Sequence, residues 1–219
     1  MVFNLSFWDL MIVLIAVAAA ATLQFYKGRR VNLTLLEFTV KVFERVLKPR
    51  DKNYNIIGIY VGYRGIYKLG SNGVSRVEVV VTLMPRQSLL YYPVALLTSR
   101  FDKVYVFFRL SRPVYREAHV IRKHYYRAGF RRVIKGVKKL NVESVDVGGK
   151  TYYLVYNDAT TAHKLLRAVK GLSKPSVVNH LAVVPSTNSV YLAARVVPDV
   201  FEELISRMYR LATDVAGAA

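Results

Sequence analysis

Val142–Leu172 reads VESVDVGGKTYYLVYNDATTAHKLLRAVKGL, and this stretch decides the fold. Val142 to Val147 and Lys150 to Tyr156 are rich in β-branched and aromatic residues, and Gly148-Gly149 between them is a hairpin turn signal. Asp158 stands where a helix cap belongs, before an apolar run of helical period that reaches Leu172. After the break at Lys174-Pro175 the order recurs. Val177 to Val184, a turn over Pro185 to Asn188, and Ser189 to Val197 precede a helix opened by Pro198 and running to about Thr213. Two strand-strand-helix (ββα) units in succession predict an antiparallel sheet with helices on one face, an α+β fold. The last residues, Asp214 to Ala219, are small and read as a frayed end.

Upstream the period is also that of strands. Tyr54 to Gly70 and Val74 to Met84 are apolar runs separated by Ser71-Asn72-Gly73, which predicts a hairpin. Gly58, Gly62 and Gly65 fall inside this pattern and read as bulges or points of strand crowding, not as a dinucleotide fingerprint, whose spacing they lack. Arg86 to Arg100 reads as helical or irregular, with Pro93 as a kink or break. Lys103 to Leu110 (KVYVFFRL) reads as a central strand. The expected domain runs from 53 to 219, with sub-units 53–140 and 141–219.

The N-terminus carries a different signal. Leu10 to Tyr26 contains no charged residue; Trp8 precedes it, and Lys27, Arg29 and Arg30 follow. As a helix, Trp8 to Tyr26 rises about 27 Å, close to the ~30 Å of a bilayer hydrocarbon core. Aromatic rings at both ends suit the headgroup boundaries. A cleaved signal peptide would need cations before the apolar run, whereas here they come after it. Residues 1–26 are therefore expected to form a single transmembrane anchor with the N-terminus outside and the C-terminal domain in the cytoplasm, at the cell membrane. Lys27, Arg29 and Arg30 would face lipid headgroups. Residues 27–52 hold eight basic and three acidic residues, and they read as a basic juxtamembrane amphipathic helix capped by Asn32 and ending at Lys48-Pro49.

The formal charge of +19, from 33 Lys and Arg against 14 Asp and Glu, points to a polyanionic partner. That charge is concentrated. Residues 112–140 carry ten cations and one carboxylate, Glu117. Phe130, Val133 or Ile134, Val137 and Leu140 recur at helical spacing, which would leave the neighbouring cations outward. Arg122, Lys123, Arg127, Arg131, Arg132, Lys135, Lys138 and Lys139 are the expected polyanion-binding residues. Tyr125, Tyr126 and Phe130 among them are candidates to stack on unpaired bases. The echo of an aromatic RNA-recognition strand in Arg127–Phe130 is incomplete, so sequence-specific reading is not expected.

Catalytic signals are missing. The chain has no cysteine. Gly148–Thr151 lacks the spacing of a phosphate loop, and the four histidines include no i, i+4 pair for a metal. No nucleophile elbow and no paired carboxylates stand out. The expected function is binding without cofactor or metal: a membrane-anchored cytoplasmic module that docks RNA or a ribonucleoprotein such as the ribosome. The alternative is a subunit or scaffold of a membrane-protein complex, whose basic face meets anionic lipid headgroups while its domain holds a protein partner.

Overall fold

The computed structural model describes residues 6–70, 73–126, 129–132, 134 and 140–217, with the backbone alone at Arg132. It is an α+β protein with nine antiparallel strands in one sheet and four helices. The first helix, α1 (Phe7–Leu47), is continuous over 41 residues, a rise of roughly 60 Å. Ser6 and Asp9 form a capping box at its start, and Lys48 in a left-handed conformation closes its end ahead of Pro49. Every residue from Phe7 to Ala20 is exposed. This part of α1 is long and apolar enough to cross a membrane.

The expected second start at Asn32 does not occur. Asn32 lies in the middle of α1 and is fully buried. Its amide donates to the carbonyls of Tyr60 and Met84 at 2.8 and 2.9 Å, and its Oδ1 accepts from Arg86 at 3.0 Å. A polar residue that resembled a cap is thus satisfied by loops distant in sequence. One turn earlier, Gly28 lies so close that a Cβ there would meet the Arg86 carbonyl carbon at 2.2 Å. Gln24, another turn back, donates to the Arg86 carbonyl at 2.7 Å. These three positions, four residues apart, form one stripe that clamps the loop Met84–Gln87 to the helix.

The strands are β1 (Asp51–Ile56), β2 (Gly62–Lys68), β3 (Val74–Thr82), β4 (Lys103–Leu110), β5 (Ala118–Arg122), β6 (Asn141–Val147), β7 (Lys150–Tyr156), β8 (Val178–Val184) and β9 (Ser189–Arg195). Their order across the sheet is β1-β2-β3-β4-β9-β8-β5-β7-β6. The expected long strand from Tyr54 is two strands, because the chain reverses between Ile56 and Gly62 with Gly58 and Tyr60 at positive φ. At Gly62 a Cβ would sit 2.3 Å from the Val81 carbonyl oxygen, so close pairing with β3 requires glycine. Gly148 and Gly149, at φ +59° and +70°, make the two-residue turn between β6 and β7.

Along the chain β6 and β7 precede α3 (Ala159–Lys170), and β8 and β9 precede α4 (Pro198–Gly217), the element order of the expected ββα units. The sheet is not a row of such units, however. β5 separates the two hairpins by pairing with both β8 and β7, and β1 to β4 carry no such helix apiece. Asp158 caps α3 through the Thr161 amide at 2.8 Å. α4 continues past Thr213, and Val215 and Ala216 are buried in place of the expected fraying.

Helices α1, α3 and α4 cover one face of the sheet. On α4, Phe201, Leu204, Ile205, Met208 and Leu211 recur at helical spacing and are buried. Phe201 meets Phe43 of α1 edge-on at 5.7 Å, and Phe43 stacks on Tyr67 of β2 at the same distance. The exposed edge strands β1 and β6 hold Asp51 and Lys52, and Glu143 and Asp146, charges that discourage further pairing. The remaining short helix, α2 (Tyr91–Thr98), buries none of its residues, and Pro93 falls in its first turn, where no intrahelical donor is lost.

Candidate functional site

Strand alternation sends Ile66, Val80, Tyr105, Tyr191, His180 and His119 to the face that the long helices leave open. This second face is divided into three zones. Above β2 to β4, Glu78 lies among Arg109, Arg76 and Arg64 at 3.0, 3.0 and 3.6 Å. Burial pushes its carboxyl up, but the hydrogen bond and charge of Arg109, with Arg76 and Arg64, outweigh that and hold it below the usual range. Across β4 and β9 lie the paired rings of Phe107 and Tyr191, 4.9 Å apart. Over β5, β7 and β8 the segment following β5 folds back onto the sheet.

That segment is the basic stretch. Ile134 packs with Ile121 and Val155, and Tyr126, Phe130, Leu140 and Tyr153 surround them in a small apolar cluster separate from the main core. Phe130–Arg132 is one turn of 3-10 helix, followed by a hydrogen bond from the Ile134 amide to the Phe130 carbonyl at 3.1 Å. Lys123 and Arg131 are exposed. Arg122 is half-buried and donates to the Ser176 carbonyl at 3.3 Å. Among the described residues no carboxylate pairs with Arg122, Lys123 or Arg131. Arg127, Lys135, Lys138 and Lys139, the side chain of Arg132, and the helical spacing assigned to Val133 and Val137 lie outside the described residues. The aromatic residues of the stretch are half-buried: Tyr125 against Tyr126 at 4.6 Å, and Phe130 against Tyr153 at 4.9 Å.

Beneath the stretch runs a chain of polar groups that sequence reasoning missed. Glu117 Oε1 lies 3.0 Å from His119 Nε2; His119 Nδ1 lies 3.2 Å from His180 Nε2; His180 Nδ1 lies 2.7 Å from the Tyr126 hydroxyl. One set of proton positions satisfies every link. Tyr126 donates to His180, His180 donates to His119, and His119 donates to the Glu117 carboxylate, with both imidazoles neutral. A proton added to His119 Nδ1 would set two N–H groups against each other, whereas one added to His180 Nδ1 would make the Tyr126 hydroxyl turn from donor to acceptor. Burial, joined by the neighbouring His119, holds His180 well below its ordinary pKa. Burial also lowers His119, against the opposing pull of Glu117. Burial and the nearby Tyr105 push the Tyr126 hydroxyl up to about 12.

This chain borders an open cleft of about 660 Å³, lined also by Phe107, Ile134, Tyr191 and the Val184–Thr187 turn. The cleft joins an aromatic wall to a proton-ordered floor, a combination suited to a flat polar ligand. No group of three or more potential metal ligands occurs among the described residues. His119 and His180 are 61 residues apart and meet only because β5 pairs with β8, so no local spacing announces them.

On α1, Lys27 and Arg30 are exposed, and Arg29 is half-buried with its guanidinium 4.7 Å from the Tyr60 ring. Fold and site together define an α+β protein with a helix fit to cross a membrane and a basic segment seated on the open face of its sheet. No protein-family model matches the chain, and no curated protein matches its sequence.

Proposed function

We propose that this protein is a membrane-anchored module that docks a polyanionic partner, RNA or a ribonucleoprotein particle, through Arg122–Lys139 on the cytoplasmic side of the cell membrane. The seating of the stretch carries this reading. Tyr126, Phe130, Ile134 and Leu140 pack on Ile121 and Val155, and Lys123 and Arg131 project with no acidic partner among the described residues. Cations held this way release counterions when they meet phosphates. The orientation follows from Lys27, Arg29 and Arg30 after the apolar run, which favours the C-terminal domain inside. In this reading the protein binds without catalysing.

The test is RNA retention by the full chain in detergent or vesicles across a salt series. Retention should fall steeply and log-linearly with salt, and the triple substitution Arg131→Glu, Arg132→Glu, Lys135→Glu should abolish it. Retention that ignores both salt and the substitution counts against the reading.

A second reading has its own observation. The exposed Lys27 and Arg30 at the end of the apolar run suit anionic headgroups. A groove of about 680 Å³ between α3 and α4, lined by Lys164, Arg167, Arg207 and Arg210 with the carboxylates of Glu203 and Asp214 among them, keeps an excess of positive charge that suits an acidic protein partner in a membrane complex. Flotation with phosphatidylglycerol vesicles, set beside RNA retention by the same preparation, separates the two readings.

A further inference from the structure

Ser88 to Ser99 (SLLYYPVALLTS) contains no charged residue, and Arg86 and Arg100 flank it. Helix α2 lies within it and buries nothing: Leu90, Tyr91 and Leu97 are 80, 69 and 74% exposed. The turn between β1 and β2 is similar, with Ile56 and Ile59 at 75 and 74%. Scattered apolar residues on a surface need no explanation, but contiguous ones signal a covering partner.

These two segments belong to one surface. Gln87 donates to the Ile59 carbonyl at 3.2 Å, which joins the loop before α2 to the β1–β2 turn. Both are fastened to α1 where its bare apolar run ends. Gln24 holds the Arg86 carbonyl and Asn32 holds the Tyr60 carbonyl, while the Phe25 ring lies 6.4 Å from that of Tyr60. Whatever solvent surrounds the last turns of that apolar run therefore also bathes Leu90, Leu97 and Ile59.

We propose that α2 and the Ile56–Tyr60 turn insert into the headgroup-to-acyl boundary of the leaflet from which α1 emerges, giving the domain a second membrane contact. The inference rests on α1 crossing the membrane, and it names the lipid surface as the partner of an otherwise unpartnered patch. Eight residues of α2 reach about 12 Å, far short of the ~20 residues needed to span, so the helix lies in the interface. Arg100, Lys27 and Arg30 are exposed beside this apolar collar, where lipid phosphates would meet them. The collar makes α1 and the domain one rigid body against the bilayer, with the strand ends at Gly62, Thr82 and Lys103 nearest to it.

The chain has no cysteine, so a single introduced thiol can be labelled without ambiguity. Leu97→Cys, Ile59→Cys, Val17→Cys and Lys170→Cys are each made in the full chain, labelled with an environment-sensitive fluorophore, and reconstituted in phosphatidylcholine–phosphatidylglycerol vesicles. The vesicles carry nitroxide lipids, spin-labelled either near the headgroup or near the chain end. Labels at Leu97 and Ile59 should shift to the blue and lose more emission to the shallow nitroxide than to the deep one. The Val17 label should lose more to the deep one, and the Lys170 label should respond to neither. Leu97 and Ile59 labels as water-exposed as Lys170, with Val17 still quenched, overturn the insertion and leave α1 as a span. A Val17 label that neither nitroxide quenches overturns the spanning helix and the inference with it. Blue-shifted labels at Leu97 and Ile59 that no nitroxide quenches mean that a second copy or another protein covers the collar, and this overturns lipid as the occupant.

Discussion

The two faces of the sheet are made by the same nine strands and differ in what covers them. On one, α1, α3 and α4 press Phe43, Phe201, Leu204 and Met208 against β2 to β9, and almost everything buried there is hydrocarbon. On the other, polar Glu78, His119 and His180 are buried beside a smaller apolar set that includes Ile121, Ile134 and Val155, and the cover over β5 and β7 is a segment rich in arginine and lysine. The first face is dry and cohesive, so it accounts for most of the stability. Buried polar groups on the second stabilise less per residue and specify more, because each must keep its partners. A surface built that way suits recognition better than cohesion.

Truncation should separate the faces first by size. Phe108, fully buried on the covered side of the central strand β4, should cost about 3–5 kcal/mol as Phe108→Ala, read by chemical denaturation of the full chain in detergent. On the open face His180→Phe strands the Tyr126 hydroxyl and His119 Nδ1, with an expected loss of about 1–3 kcal/mol. A loss at His180 equal to that at Phe108 would erase the contrast. Glu78→Gln should cost less, about 1 kcal/mol, because Arg64 and Arg76 are more than half exposed and water can solvate them. That cost should shrink in high salt.

The smallest expected effect is one of pH. Both histidines have folded pKa values below the unfolded one, so the neutral forms stabilise the fold. That contribution is complete above the unfolded histidine pKa of about 6.5 and is lost as pH falls through the lowered folded values. Carboxylates held low, Glu78 among them, lose stability further down, from the ordinary glutamate value of about 4.5. The histidine share is therefore the difference between wild type and the double variant Tyr126→Phe, His180→Phe, whose stability should decline less on going from neutral to acidic pH. Parallel declines would show that the chain does not exclude protons.

Where the sequence spoke locally, it was legible. Gly148-Gly149, Asp158 and Pro198 each impose a conformation on their own neighbours, and the turns and helix starts lie where those residues require. Legibility ended where the reason was distant. Asn32 has the chemistry of a cap, and only the arrival of the Tyr60 and Met84 carbonyls turns it into an interior residue. Tyr54 to Gly70 looked like one strand because Ile56–Val61 holds no charge and no Asn, Asp, Ser or Pro, and the turn is made by Gly58 and Tyr60 at positive φ. The candidate site divided the same way. Composition revealed the basic stretch, with Lys123 and Arg131 exposed, yet the half-burial of Tyr125, Tyr126 and Phe130 depends on a sheet face that no local pattern describes. The Glu117–His119–His180–Tyr126 chain was invisible because strand order alone creates it.

The contrast between the faces has one decisive readout: amide hydrogen exchange across the whole chain, in vesicles, with and without added RNA. If the open face is where a polyanion docks, new protection should be confined to β5 and the stretch Arg122–Leu140 and should vanish in high salt. Protection on α3 and α4 instead, or none at RNA concentrations that saturate retention, would contradict the account.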